Sequence, residues 1–94
     1  MSWTFLSRFK IKEGREAEFL TLIPKMEANA AEEPGTLAYQ FYRLDEARAF
    51  AVYESFVDVA ADQAHMANPA SADIMAGMID CIDGTYTREY LLPL

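Results

Sequence analysis

The sequence predicts an α+β fold with the ferredoxin-like order β-α-β-β-α-β, in which helices cover one face of a four-stranded antiparallel sheet. Three observations predict it. Segments of period-two apolar alternation and segments of helical periodicity follow one another in that order. The link between the middle two strands is too short to cross over, so those strands pair as a hairpin. Ninety-four residues, 52% of them apolar, with four prolines and four glycines, suit one domain spanning residues 1–94 rather than two domains or a disordered chain.

Each element has its own reason. Trp3, Phe5, Phe9 and Ile11 recur with period two, interrupted only by Ser7, and make the first strand. Glu13-Gly14 ends it. From Arg15 to about Ala31, Phe19, Leu20, Ile23, Met26 and Ala30 form the stripe of an amphipathic helix. Pro24 lies inside that stripe and should kink the helix or cut it in two, because it removes the amide that would bond the Leu20 carbonyl. Glu33-Pro34-Gly35 is a turn, and Thr36 to Leu44 and Ala49 to Phe56 are the two strands of the hairpin. Asp58 can cap a helix running to about Asn68. Asn68-Pro69 stops it and restarts a second piece, whose stripe is Ile74, Met75, Met78, Ile79 and Ile82. After the Asp83-Gly84 turn, Thr85 to Leu92 reads as the last strand, with Tyr86, Tyr90 and Leu92 on one face.

All twelve aromatic residues except Phe19 fall in these strands and are expected on both strand faces, each of which carries apolar groups. Helices can cover only one face, so we expect a homodimer whose sheets pack face to face.

Fifteen acids against eight bases give a net charge of −7, which argues against nucleic acid and against an acidic membrane surface. The acids from Glu54 through Asp83, unrelieved by Lys or Arg until Arg88, read as a solvated helix face. Cys81 is the single cysteine, which leaves no internal disulfide, no CxxC pair and no Cys-rich zinc site, and fits a reducing cytoplasm. No run approaches the ~18 apolar residues of a membrane span, and no leader segment is evident.

Two residues could carry proton chemistry. His65 is the only histidine, the side chain best suited to moving a proton near neutral pH. Glu54 shares a strand face with Phe50, Val52 and Phe56, so the pleat sets a carboxylate in an apolar row. Such a group must pair, for example with Arg43 or Arg8, escape at a strand end, or hold its proton. Ser7 interrupts the first strand in the same way. Gln40 and Tyr42 put hydrogen-bonding groups on the second face of their strand, and Met26, Met66, Met75 and Met78 could soften the wall of a pocket. There is no GxGxxG, P-loop, HExxH, GxSxG or calcium loop, so an enzyme here would use acid-base groups alone on a small hydrophobic molecule.

Glu33-Pro34-Gly35-Thr36-Leu37 followed by Tyr39 and Phe41, then Phe50-x-Val52-Tyr53-Glu54, then Ala64-His65-x-x-Asn68-Pro69, resembles the antibiotic biosynthesis monooxygenase superfamily over nearly the whole chain. The resemblance implies a dimeric α+β barrel with a hydrophobic cavity in each protomer. It also implies one of several activities: cofactor-independent oxidation of quinols or anthrone-like polyketides by O2, haem degradation, or isomerisation of a phosphorylated signalling sugar. The haem-degrading branch has an Asn where this chain has Ser7, a Trp near His65 and a haem-ligating His at the position of Met75, so no haem and no other cofactor is expected.

For quinol or anthrone oxidation His65 would be the base or shuttle, and Glu54 would orient it or relay the proton. Tyr39, Ser7, Met66 and Tyr86 would contact the substrate. Tyr53 and Glu54 are adjacent in a strand and point to opposite faces, so only one lines the cavity, and we take Glu54. Two readings stand beside oxidation: an isomerase-like enzyme acting on a hydroxy-ketone, for which the helix around His65 offers no basic cluster to hold a phosphate, and a non-catalytic module that sequesters hydrophobic ligands in a stress response.

Overall fold

The computed structural model describes residues 2–94. The elements are β1 (Trp3–Lys10), α1 (Glu16–Ala31), β2 (Thr36–Arg43), β3 (Ala49–Phe56), α2 (Val59–Met66), a short 3₁₀ turn (Pro69–Ser71), α3 (Ala72–Cys81) and β4 (Thr87–Tyr90). The sheet order is β2-β3-β1-β4 and every pairing is antiparallel. This is the ferredoxin-like arrangement that the alternating patterns predict. Among the described residues no helix is long and apolar enough to cross a membrane.

The register explains the face assignments. Phe5 lies opposite both Glu54 and Tyr90, and Glu54 lies opposite Tyr39. Ser7 pairs with Val52 and Arg88, and Phe9 with Phe50. With a side-chain period of two, these residues all face the helices. The core beneath α1 and α3 gathers Phe9, Ile11, Phe19, Met26, Phe50, Met78 and Cys81. Phe19 meets Phe9 edge-on, with centroids 5.5 Å apart, and also touches Phe50 at 5.2 Å.

Three expectations are corrected. First, Pro24 does not break α1, which runs unbroken from Glu16 to Ala31. Pro24 and Leu20 lie on the exposed side, where the carbonyl that lost its amide faces water, while Phe19, Met26 and Ala30 hold both halves of the helix against the sheet. Second, the last strand is shorter than its pattern and keeps only Thr87–Tyr90. Its ladder runs from Phe5 to Arg8 on β1; past Tyr90 the Leu91 amide still donates to the Thr4 carbonyl at 2.9 Å but the strand goes no further, and at the other end of β1 an isolated bridge joins Ile11 and Ile82. Third, the strand aromatics concentrate on one face. Only Tyr42 and Tyr53 lie on the open face, beside Leu6, Ala38, Ala51, Arg8 and Gln40.

The caps follow the sequence. Asp58 accepts from the Ala61 amide at 2.9 Å to start α2, and Asn68 accepts from the Ala70 amide at 3.0 Å to start the 3₁₀ turn. Two backbone features then position the site. The β2–β3 register shifts between Thr36 and Ala38, and this bulge turns Thr36 to the helix side opposite Phe56 while the extra residue, Leu37, is exposed. Gly35 presses on α2 so closely that a β-carbon there would lie 2.6 Å from Ala61 Cβ.

Candidate functional site

Between the sheet and the helices lies a cavity walled chiefly by Phe9, Phe19, Phe41, Val52, Met75, Met78, Ile79 and Ile82. Its polar lining is Ser7, Tyr39, Glu54, His65, Tyr86 and Arg88, and Met66 completes the wall. All six residues singled out from the sequence, His65, Glu54, Tyr39, Ser7, Met66 and Tyr86, therefore face one space.

His65 comes from the last turn of α2 and is buried between two rings, with centroids 4.9 Å from Tyr39 and 5.3 Å from Phe56. Its Nδ1 is 2.8 Å from Glu33 Oε1, and its Nε2 is 3.7 Å from Glu54 Oε1. Glu33 is fixed from two further sides: Thr36 Oγ1 donates to Oε1 at 2.8 Å and Asn68 Nδ2 donates to Oε2 at 2.8 Å. The bulge supplies the Thr36 bond, and the close contact of Gly35 with Ala61 brings the turn within reach of α2.

The two carboxyls differ in character. Burial pushes Glu33 up, but the hydrogen bonds from Asn68, His65 and Thr36 together outweigh it and hold the group below the usual carboxylate range. An ionised Glu33 only accepts, so Nδ1 carries the proton and Nε2 is the free nitrogen turned toward Glu54. Burial pushes Glu54 the other way, up to about 7; Asp62 and Glu33 add to the rise, while Arg88 and the Ser7 hydroxyl oppose it. Glu54 thus has neither of the partners proposed for it, Arg43 or Arg8, because Arg43 stacks on Phe50 and Arg8 pairs with Glu89 outside the cavity. Tyr39 is held well above the usual phenol range by burial and by the charge of Glu54, so it stays a neutral hydroxyl able to donate.

Arg88 is tied down behind the cavity. Its guanidinium forms two bonds to Asp62, at 2.8 and 3.2 Å, and lies 4.0 Å from the centre of the Phe5 ring. Trp3 Nε1 donates to the same carboxylate at 3.0 Å. Among the described residues no group of three or more His, Cys, Asp or Glu is placed to hold a metal ion.

Sequence reasoning missed Glu33 and Arg88. Arg88 was within reach of it, since it shares the period-two face of Tyr86 and Tyr90. Glu33 gave no such signal, because it sits in a turn and gains its role from contacts distant in sequence. The array as a whole can accept a proton from a bound hydroxyl or acidic C–H at Nε2 or at Glu54, and Glu33 can stabilise the charge that results on the imidazole.

Solved structures share this architecture. A Caulobacter crescentus protein provisionally named an antibiotic biosynthesis monooxygenase matches with 25% identity and a TM-score of 0.89, over 99% of this chain and 90% of that one. A similarly named protein of Bacteroides thetaiotaomicron matches with 23% identity and a TM-score of 0.88, again over 99% and 90%. SnoaB, a cofactor-independent oxygenase of Streptomyces nogalater, matches with 19% identity and a TM-score of 0.80, over 98% of this chain and 92% of that one. No curated protein matches the sequence. The family model for antibiotic biosynthesis monooxygenases matches residues 4–77, from the first strand through Glu33, Glu54 and His65 into α3, and the chain belongs to that family.

Proposed function

We propose that the chain is a cofactor-independent monooxygenase that oxidises a quinol-like or polyketide-like aromatic molecule with O2. The observation that carries the reading is the Glu33–His65–Glu54 array beside a cavity walled mainly by apolar side chains. The substrate's acidic proton moves to His65 Nε2 or to Glu54, leaving an electron-rich anion. That anion transfers electrons to O2, and a C–O bond forms at the activated carbon. The resulting hydroperoxide loses water to leave a carbonyl, so one oxygen atom ends in the product and the other in water, and all the electrons come from the substrate. In this reading Tyr39 and Tyr86, both in the cavity lining, hold a substrate oxygen. SnoaB, named as an oxygenase that works without a cofactor, shares this fold, which is consistent with the reading.

We also propose that the chain acts as a homodimer through the open sheet face, where Leu6, Tyr42 and Tyr53 lie; sedimentation at micromolar concentration as a monomer would refute this. Isomerisation of a phosphorylated substrate is less well supported, because the one cavity cation, Arg88, is already bound by Asp62.

The test of the oxidation reading is O2 uptake with a panel of reduced quinones and anthrones. Turnover should appear with the wild-type chain and fall to background in His65→Ala. Ligand binding without O2 uptake across the panel would favour the non-catalytic module instead.

A further inference from the structure

The cavity beside Glu54 and His65 has a volume of about 80 Å³, against roughly 150 Å³ for an apolar cavity that accepts benzene. A single flat ring enters only where side chains yield, and the yielding ones are the unbranched Met66, Met75 and Met78. A fused three-ring molecule would need far more displacement. A second, larger space of about 480 Å³ lies next to this one. Met66 and Arg88 line both, so they are the wall the two spaces share, and Met66, exposed and unbranched, is the part of that wall able to move aside.

Beyond that wall the lining is Trp3, Val59, Ala67 and Tyr90, together with the polar side chains of Asp62 and Gln63. Val59, Met66 and Tyr90 are exposed large apolar residues, and the one carboxylate there, Asp62, is already satisfied by Arg88 and Trp3. The groove is thus largely apolar surface set against the reactive end of the site, with Met66 between them.

We propose that the substrate is a single aromatic ring bearing an extended apolar substituent, with the ring beside Glu54 and His65 and the substituent passing between Met66 and Arg88 to lie along Trp3 and Val59. The proposal rests on the oxidation reading for the chemistry at the ring, and on two adjacent volumes separated by the movable Met66 for the shape.

Trp3 is the only tryptophan and lines the groove, so its emission reports occupancy without turnover. The full chain is titrated with phenol and with para-alkylphenols of increasing chain length. The dissociation constant should fall by up to about fourfold per added methylene until the groove is filled. Val59→Asp, in the first turn of α2 where a carboxylate suits the helix N-terminus, should flatten that dependence. Affinity that ignores chain length, a chain-length gain that survives Val59→Asp, or tighter binding of a hydroxyanthracene than of the alkylphenols would each overturn the proposal. A second copy of the chain seated in the groove gives the first of these outcomes, with Trp3 emission that shifts with protein concentration. If the chain-length gain is found but the matching alkylquinols draw no O2, the shape stands and the oxidation reading falls.

Discussion

Replacing Glu54 by Gln should stabilise the fold at neutral and alkaline pH and do little at acid pH. The carboxyl is raised from its ordinary value of 4.5 to about 7, chiefly by burial. A group whose folded value lies above its unfolded one contributes its full stability below the unfolded value and loses it as the pH rises through the folded value. Protonated Glu54 is therefore tolerated near pH 4, and its ionisation weakens the fold progressively between 4.5 and about 7. At about 1.4 kcal/mol for each tenfold change in proton affinity, the loss is on the order of 3 kcal/mol. Gln keeps the shape and the hydrogen-bonding capacity but has no proton to lose. Urea unfolding of both chains, followed by circular dichroism at one protein concentration so that association cancels, gives the difference in stability as a function of pH. The curve should be flat below about pH 4, rise in favour of Glu54→Gln, and level off above about pH 8. With a slope of roughly 1.5 kcal/mol per molar urea, the plateau corresponds to a midpoint shift of about 2 M. A difference that does not vary with pH would refute the reasoning, because it would mean that Glu54 keeps its ordinary proton affinity in the folded chain, and a trend of opposite sign would mean that it is paired as an anion.

Glu33 has the opposite sign. Its folded value is depressed by its hydrogen bonds, so its contribution is present above the unfolded value and is lost as the pH falls. Glu33→Gln should therefore be most destabilising at neutral pH and converge on the wild type in acid, as urea titration will show. It should also lower kcat for O2 uptake by about a hundredfold or more, because the charge that orients and stabilises the protonated imidazole is lost. Gly35→Ala collides with Ala61 Cβ and should cost about 1–3 kcal/mol. Adding Ala61→Gly should recover part of that loss, and a double-mutant cycle with no coupling between the two positions would show that the contact is absent. Asp62→Asn leaves the partly exposed Arg88 without its ion-pair partner and should cost about 1–3 kcal/mol. Removing both charges in Asp62→Asn with Arg88→Met should cost less than Asp62→Asn alone, measured by thermal unfolding.

The strands and their faces were legible because a two-residue period survives in a short sequence. Phe5, Phe9, Phe50 and Phe56 each mark the helix-facing side, and the same period exposed Ser7 and Glu54 as polar intrusions on it. Pro24 was legible as a perturbation but not in its outcome, since that depended on which side of α1 met water. Alternation also places the rings of β2, since the bulge before Ala38 leaves Tyr39 and Phe41 on the helix side and Tyr42 on the open side and displaces only Leu37; the open face owes most of its apolar character to Leu6, Ala38 and Ala51 rather than to rings. His65 and Glu54 could be chosen as candidates one at a time. Their partner Glu33 could not, because nothing local to a Glu-Pro-Gly turn says that a histidine 32 residues later will come within 2.8 Å of it.

The energetic cost of Glu54 bears on what the site is for. A loss on the order of 3 kcal/mol on ionisation is a large share of the 5–15 kcal/mol that usually separates folded from unfolded states. It is tolerated because the same face buries Phe5, Phe50 and Phe56 almost completely, each worth about 1.5–3 kcal/mol. Yet these rings do not demand a carboxyl. Gln or an aliphatic side chain would satisfy the packing and leave the chain more stable at neutral pH. What they could not do is exchange a proton near pH 7, with an imidazole nitrogen 3.7 Å away whose other side is fixed by an ionised glutamate. The aromatic wall that excludes water is also what raises the carboxyl into that range. Polarising the wall, for example by Phe56→Tyr, should therefore lower the proton affinity of Glu54 and shift the acid limb of any O2-uptake profile downward. An unmoved limb in a folded Phe56→Tyr chain would separate the burial of Glu54 from its reactivity.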